Sequence, residues 1–577
     1  TYGLREQLDA LLDSFNGSTR SDSYKRTVAA AVWDFFKQRG RFFVSGDKLH
    51  LFYHHTIYQI GDNVPFKALM HKEAGINYKQ DVAGFVWEEL KALCFTRGDR
   101  LKEFGWISLF PSDEGPVLYL NLKDPANRIL RITSGNVDIA ENGTNSHNVL
   151  LAESGQMEPF TYDPEANIAA AMRDMKRLML DSLACPPAQR YLLLAWALSA
   201  YLMPITSSRA LMKLEGGSGS GKTTAAETLS LLLYGKSMVG RSSTASDYSM
   251  AATEPLIIKD NLETDDINRN SLNFLLLAAT GATNIKRLQG TDSGVVTEKI
   301  NCLVAITAIE PLSKPELINR AFTIEFNKRW QRNDFGKDDN NRRILARRGE
   351  ILSAWLQVIA ERVLPNLDEC RELVAYIREH HKDYSKDRVS EFTALLALIA
   401  KALLHYIPLS AELKMDKGSR QPEYVLLDAW IKYQNEHSRQ TEQGTNAVLQ
   451  LLDGLRRVFL IDFSKRAQPA GDTVWCELMG VTVERAAVRD SALQPTGFQT
   501  YAFEASTADL LAMINRYSRE YGLKAPFSNA RQLGVRIANE MDTLCRAGWE
   551  ITPVKIVRGN RVSRWAWSDA DHPTGCD

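Results

Sequence analysis

The sequence has no surplus of charge: lysine plus arginine number 70, aspartate plus glutamate also number 70, and the formal net charge is +0. A molecule-wide electrostatic footprint for nucleic acid is therefore absent, and any basic surface must be local. Cysteine is scarce and scattered, at Cys94, Cys185, Cys302, Cys370, Cys476, Cys545 and Cys576. An odd number with such wide gaps excludes both a disulfide framework and a zinc knuckle, and fits a reducing compartment. Apolar runs are short. The one candidate for a membrane span, YLLLAWALSAYLMPI over Tyr191 to Ile205, is shorter than a bilayer needs, is cut by Pro204, and reads as a buried helix. The N-terminus lacks a basic region followed by an apolar core and a cleavage site, so no secretory signal and no membrane partner are expected, and the expected location is cytoplasmic. Internal repeats and low-complexity tracts are missing too.

What is present is ordinary folded chain. Hydrophobic residues make up 44% and charged residues 24%, proportions that exclude disordered or fibrous protein. A length of 577 residues is too great for one hydrophobic core, and predicts about three or four domains. Residues 1–165 read as a mixed α+β domain. Helical spacing in LREQLDALLDSF and RTVAAAVWDFFKQ is followed by strand-and-turn patterns in RFFVSGDKLHLFY, PVLYLNL and ILRITSG, to about Tyr162. Residues 166–330 alternate helical segments with the apolar strands LMKLE, PLIIK, CLVAIT and FTIEF, the pattern of a parallel α/β sheet. Residues 331–497 are helical almost to Leu460 and read as a helical lid with an extension, followed by a less regular piece. Residues 498–577 form helix, helix and two strands around a turn.

The chemistry is concentrated after LMKLE. Gly216, Gly217, Ser218, Gly219, Ser220, Gly221, Lys222 and Thr223 match G-x-x-x-x-G-K-[ST], between an apolar strand and the helix TTAAETLSLLLYG. The glycines let backbone N–H groups turn toward phosphates, and Lys222 reaches the outer phosphates. Thr223 binds Mg²⁺ and Thr224 completes the loop. ATP and Mg²⁺ are thus the expected cofactors. Asp260, closing PLIIKD, is the expected magnesium-linked acid. Asn261 follows where many motors carry a water-aligning glutamate, and the nearest carboxylate is Glu263, for which a catalytic base and a solvated turn are equal readings. Thr307, at the end of CLVAIT, reads either as a contact to the γ-phosphate or its attacking water, or as a strand-capping hydroxyl. Arg320, just before FTIEF, is placed to reach a neighbouring subunit's nucleotide as an arginine finger, against the alternative of a plain surface arginine.

Two segments carry local basic charge. IKRLQGTDSGVVTEKI reads as a hairpin with Lys286 and Arg287 on one arm and Lys299 on the other, suited to a strand threaded through a ring. In the tail, Thr507 and Ser528 are the expected caps of two helices, and Arg558-Gly559-Asn560-Arg561 is the expected turn of a hairpin. The combination reads as a winged helix, with Arg531 and Arg536 on its second helix and Arg558, Arg561 and Arg564 in the wing. Such modules serve DNA binding or protein docking.

The ordered series LMKLEGGSGSGKTT, IIKDNLE, LLLAATGAT, KRLQGTDS, LVAITAIEP and LINRAF resembles the AAA+ ATPases of phages and integrative elements. These are relatives of phage-type primase-helicases and cassette chromosome helicases. The resemblance covers about Asn167 to Phe326 plus the winged-helix tail, and Asn261 fits it. It implies a homohexameric ring with a pore hairpin, an arginine finger acting in trans, and helicase action on DNA at a replication origin. The N-terminal part matches only loosely, as a collar or DNA-binding domain. Without zinc-ribbon cysteines or a primase acid cluster, no fused primase is expected. The competing expectation is a regulatory or defence NTPase that switches oligomeric state with nucleotide and recruits a partner.

Overall fold

The computed structural model describes residues 3–15, 21–45, 48–101, 105–113, 115–287, 295–311, 314–413, 421–445, 447–465, 473–489, 495–523, 527–539, 541–557 and 560–568. Its helices Leu4–Ser14 and Asp22–Arg39 stand where helical spacing puts them. They share one core with the hairpin strands Gly40–Ser45 and Lys48–Tyr53, through Val32, Phe36, Phe42 and Leu51. The stretch beyond holds more helix than its alternation suggests, because Val64–Ala74 and Asp81–Arg97 are helical. The signals are at the ends of the first: Asn63 accepts the Phe66 N–H at 3.0 Å, proline occupies the first turn, and Gly75 closes the helix at φ 68°. A four-stranded antiparallel meander from Ile107 to Ala140 follows. Leu118, Leu120, Leu130 and Ile132 from it join the large central core.

That core surrounds a parallel sheet. In chain order its elements are β1 (Leu211–Glu215), α1 (Lys222–Tyr234), β2 (Leu256–Lys259) and α2 (Arg269–Thr280). The hairpin β3 (Thr283–Arg287) and β4 (Val295–Lys299) comes next, then β5 (Leu303–Ala308), β6 (Ala321–Glu325) and α3 (Lys337–Val358). The four sheet strands run parallel in the order β2, β5, β1, β6, and Gly240 adds an isolated parallel bridge to Lys259 at the outer edge. Near-continuous apolar burial suits strands covered on both faces. The segment Tyr191 to Ile205 is buried helix, Pro187–Leu198 running into a 3₁₀ turn. Among the described residues no helix is long and apolar enough to cross a membrane.

The helical region braces this sheet. Arg348 of α3, buried, donates to the carbonyls of Leu232 at 2.9 Å and Leu233 at 3.1 Å, satisfying the last turn of α1. At the sheet edge the Gln434 side chain acts as a substitute strand. It accepts from the Thr323 N–H at 3.0 Å and donates to the Thr323 carbonyl at 2.8 Å, while the Tyr433 hydroxyl accepts the Glu325 N–H at 3.0 Å.

The chain divides into two compact units between Asn435 and Glu436. In the second, the less regular piece proves to be strand: Thr473–Cys476, Val481–Arg489 and β7 (Pro495–Ser506). Then come helices α4 (Thr507–Glu520), α5 (Ala530–Asn539) and Met541–Arg546, and strands β8 (Glu550–Val557) and β9 (Asn560–Ser568). The five-stranded sheet ends in the order β7, β9, β8, over a core of Phe459, Phe503, Trp549, Trp565 and Trp567. Both tail caps lie one residue from expectation. Ser506, not Thr507, caps α4, with Asp509 closing a reciprocal capping box. Asn529, not Ser528, accepts the Gln532 N–H at 2.8 Å ahead of α5.

Candidate nucleotide site

The loop from Gly216 to Gly221 joins β1 to α1 at the C-terminal edge of the sheet, with a helix N-terminus facing whatever the loop holds. Its backbone needs glycine. Gly216, Gly219 and Gly221 have φ of 143°, 69° and 105°, and a Cβ on Gly216 would stand 2.3 Å from the Phe326 carbonyl oxygen. Lys222, 6% exposed, curls over the loop and donates to the carbonyls of Gly216 at 2.6 Å and Gly217 at 2.9 Å. Burial pushes its amine below the ordinary lysine range, against the opposing pull of Glu263, Asp260 and Glu215. The Ser220 hydroxyl is buried without a hydrogen-bond partner among the described residues, a donor suited to a phosphate oxygen.

Asp260 sits just past β2 and faces two hydroxyls. Thr307, fully buried near the end of β5, donates to Asp260 Oδ1 at 2.7 Å, and Thr223 Oγ1 lies 3.4 Å from the same oxygen. Adjacent ligands of an octahedral Mg²⁺ with bonds of about 2.1 Å lie roughly 3 Å apart, so this oxygen pair fits that ion. Thr307 Oγ1 also accepts the Asn261 N–H at 2.9 Å, and the Thr307 carbonyl accepts the Leu262 N–H at 3.0 Å. Asn261 has φ 51°, a left-handed conformation that asparagine tolerates better than glutamate. Glu263, half-buried in the turn after β2, accepts the N–H groups of Ile309 at 2.7 Å and Glu310 at 3.1 Å with its two carboxylate oxygens. The turn after β2 is thereby laced to the end of β5. Beside it opens a polar cleft of about 360 Å³ lined by Arg241, Ser242, Thr244, Asp260, Asn261 and Asp266.

Sequence reasoning missed two features of the site. Lys213, completely buried on β1, pairs with Glu215 at 3.0 Å and donates to the Glu310 carbonyl, tying the phosphate-loop strand to the loop after β5. Lys328, after β6, is near the loop tip: its amine would lie 3.7 Å from a Cβ on Gly219. The alternation of charged residues in LMKLE marks the first, and nothing local marks the second.

Arg320 stands apart from this cluster. The parallel register pairs Ala321 with Leu211 and Glu325 with Glu215, and the Arg320 carbonyl accepts the Leu211 N–H at 2.9 Å. Arg320 therefore lies at the opposite end of the sheet from its own loop, roughly 16 Å away at about 3.3 Å per residue. It is half-buried rather than fully exposed.

The candidate DNA-contacting residues occupy separate places. Lys286 pairs with Val296 and Arg287 with Val295 across the β3/β4 hairpin, and Lys299 pairs with Thr283 at its base. The hairpin tip, 288–294, and Arg558 lie outside the described residues. Arg531 and Arg536 are exposed on α5, Arg561 is exposed near the start of β9, and Arg564 pairs with Glu484 at 3.2 Å.

No family model matches the sequence, and no curated protein matches it. Among solved structures the chain is similar to the active helicase Cch of SCCmec type IV, at 13% identity and a TM-score of 0.49, over 91% of this chain and 92% of that one. It is also similar to the C-terminal region of NrS-1 in its A-form apo structure, at 11% identity and a TM-score of 0.37, over 92% of this chain and 97% of that one.

Proposed function

We propose that the chain is an ATP-driven motor acting on DNA, a helicase or translocase of a mobile element's replication machinery, working in the cytoplasm as a homohexameric ring. The observation that carries this reading is the split of the catalytic parts: Lys222, Thr223, Asp260 and Thr307 gather at one end of the sheet while Arg320 stands at the other. A site whose charge-neutralising arginine cannot reach its own loop is completed by a second copy.

In this reading residues 166–330 form a P-loop AAA+ core, 331–497 a helical lid with an extension whose last strands join the sheet of the second unit, 1–165 an N-terminal collar or DNA-binding domain, and 498–577 a winged helix. Thr223 and Asp260 would hold Mg²⁺, which would supply neutralisation of phosphate charge. Lys222 leaves the carbonyls of Gly216 and Gly217 for the outer phosphates. Thr307 fixes Asp260. Glu263, whose oxygens each keep a second lone pair beside one N–H bond, orients the attacking water. Lys286, Arg287 and Lys299 on the hairpin and Arg531, Arg536, Arg558, Arg561 and Arg564 in the winged helix follow the DNA backbone.

The test is steady-state ATPase stimulated by single-stranded DNA together with unwinding of a forked duplex, both lost in Lys222→Ala. ATPase that persists without unwinding any fork counts against the helicase, and ATPase indifferent to DNA sinks the motor reading. A regulatory or defence NTPase is the second reading. It is favoured by Asn261 after Asp260 and by the backbone N–H groups that already engage both Glu263 oxygens. It predicts nucleotide-dependent oligomerisation with hydrolysis indifferent to DNA.

A further inference from the structure

The corner of the sheet that carries Arg320 carries a second arginine. Arg388 lies in the 3₁₀ turn Asp387–Val389 of the helical region, exposed, far along the chain from Arg320. The two elements are pinned together by Lys386, which is 2% exposed and donates its amine to the carbonyl of Ile318. That bond ties the residue two before Arg388 to the residue two before Arg320. Arg320 is braced, its Nη1 donating to the Glu316 carbonyl at 2.7 Å, while its Nε is closed off from solvent with no hydrogen-bond partner among the described residues. Burial lowers the guanidinium's proton affinity, the positive charge of Arg388 lowers it further, and Glu316 opposes them. The neighbouring Asp387 is engaged by the Ser390 hydroxyl at 3.1 Å.

Two guanidinium groups held at one corner repel each other, and a shared anion converts that repulsion into attraction from both. A terminal phosphate offers several oxygens to such a pair, each guanidinium supplying a planar fork of donors. The register places the whole corner at the end of the sheet away from the chain's own phosphate loop, so the anion must belong to another molecule.

We propose that Arg388 is a second phosphate-contacting arginine, and that Arg320 and Arg388 together clasp the terminal phosphate of a nucleoside triphosphate held in the loop of a second copy of this chain. The proposal rests on the motor reading above. As the water oxygen bonds to the γ-phosphorus, the bond to the β–γ bridging oxygen breaks and its electron pair stays on the diphosphate. The water's proton passes to a phosphate oxygen. Arg320, braced by Glu316, is the fixed prong that meets the charge on the departing phosphoryl group, and Arg388, exposed, is the adjustable one.

The experiment uses the full chain and three alanine variants, Arg388→Ala, Arg320→Ala and Lys222→Ala, alone and mixed in equal amounts, with ATP as substrate and a fluorescent ATP analogue to report binding. Arg388→Ala is expected to lose at least tenfold in kcat with analogue affinity close to wild type, and Arg388→Lys to recover only part of the rate. Mixing Arg388→Ala with Lys222→Ala is expected to raise activity above either alone, because a Lys222→Ala chain lends intact arginines to a neighbour's intact loop. Wild-type kcat in Arg388→Ala, or a loss that mixing does not repair while the Arg320→Ala and Lys222→Ala mixture does recover, overturns the role of Arg388 alone. If the Arg320→Ala mixture also fails to recover, the shared-site reading beneath it falls as well.

Discussion

Thr307→Val removes one hydroxyl and almost nothing else, since valine has the shape of threonine. The hydroxyl makes two bonds in a fully buried position, donating to Asp260 at 2.7 Å and accepting the Asn261 N–H at 2.9 Å. A hydrogen bond to a charged group is worth about 1.5–3 kcal/mol, and an amide left unpaired costs about 1–3 kcal/mol. Asn261 is an exposed residue and its amide bond to Thr307 is only part-buried, which trims the second term, so the expected loss is about 2–4 kcal/mol. Function suffers separately. Asp260 loses the donor that orients it, and a displacement near 1 Å in such a group costs about a hundredfold in rate. Chemical denaturation measures the stability term, and steady-state ATPase with analogue binding separates kcat from affinity. Thr307→Ser keeps the hydroxyl and should fall close to wild type in both. A Thr307→Val chain with unchanged denaturation midpoint and kcat, or a serine variant as damaged as the valine one, refutes the reasoning.

Lys213→Met removes the ammonium paired with the buried Glu215 carboxylate and should destabilise by up to about 3 kcal/mol, partly restored in the Lys213→Met/Glu215→Leu double variant; denaturation of wild type, the two single variants and the double variant decides, and full additivity counts against the pair. Gly216→Ala drives a Cβ to 2.3 Å from the Phe326 carbonyl at a φ of 143°, so analogue binding should vanish. Gly217→Ala, whose Cβ meets nothing within 4 Å, should melt like wild type. Arg561→Ala should weaken DNA binding and reduce the salt slope by about 1. Arg564→Ala should do less, because Glu484 already holds that guanidinium at 3.2 Å; anisotropy over a salt series compares them, and equal slopes would contradict the exposed-wing assignment.

The strand, loop and helix around Gly216 were legible because each carries strong local punctuation: an apolar run, left-handed glycines, then a helical period. The four strands of the parallel sheet were legible for the same reason. The helix Val64–Ala74 was overlooked although Asn63, Pro65 and Gly75 mark its ends, because the flanking alternation read as strand. At Ser506 and Thr507 two neighbouring hydroxyls compete for one cap, and only the backbone decides between them. The engagement of Glu263 by Ile309 and Glu310 joins segments more than 40 residues apart, and the Gln434 clasp on Thr323 spans 111. No local pattern encodes such pairings. They follow from packing after the sheet is built, and so does the approach of Arg388 to Arg320.

Strand β6 is where these long-range pairings acquire a consequence. At one end its chain crowds the phosphate loop: the Phe326 N–H donates to the Glu215 carbonyl at 2.7 Å, and the Phe326 carbonyl leaves no room for a side chain at Gly216. At the other end it begins beside Arg320. The clasps from Gln434 and Tyr433 close its free edge at Thr323 and Glu325, so the strand is held on one side by the helical region and on the other by β1. On the proposed ring reading, this one strand joins the phosphate loop of its own copy to the arginine corner offered to the next, and a change at the loop that reached the corner through it would couple hydrolysis in successive copies.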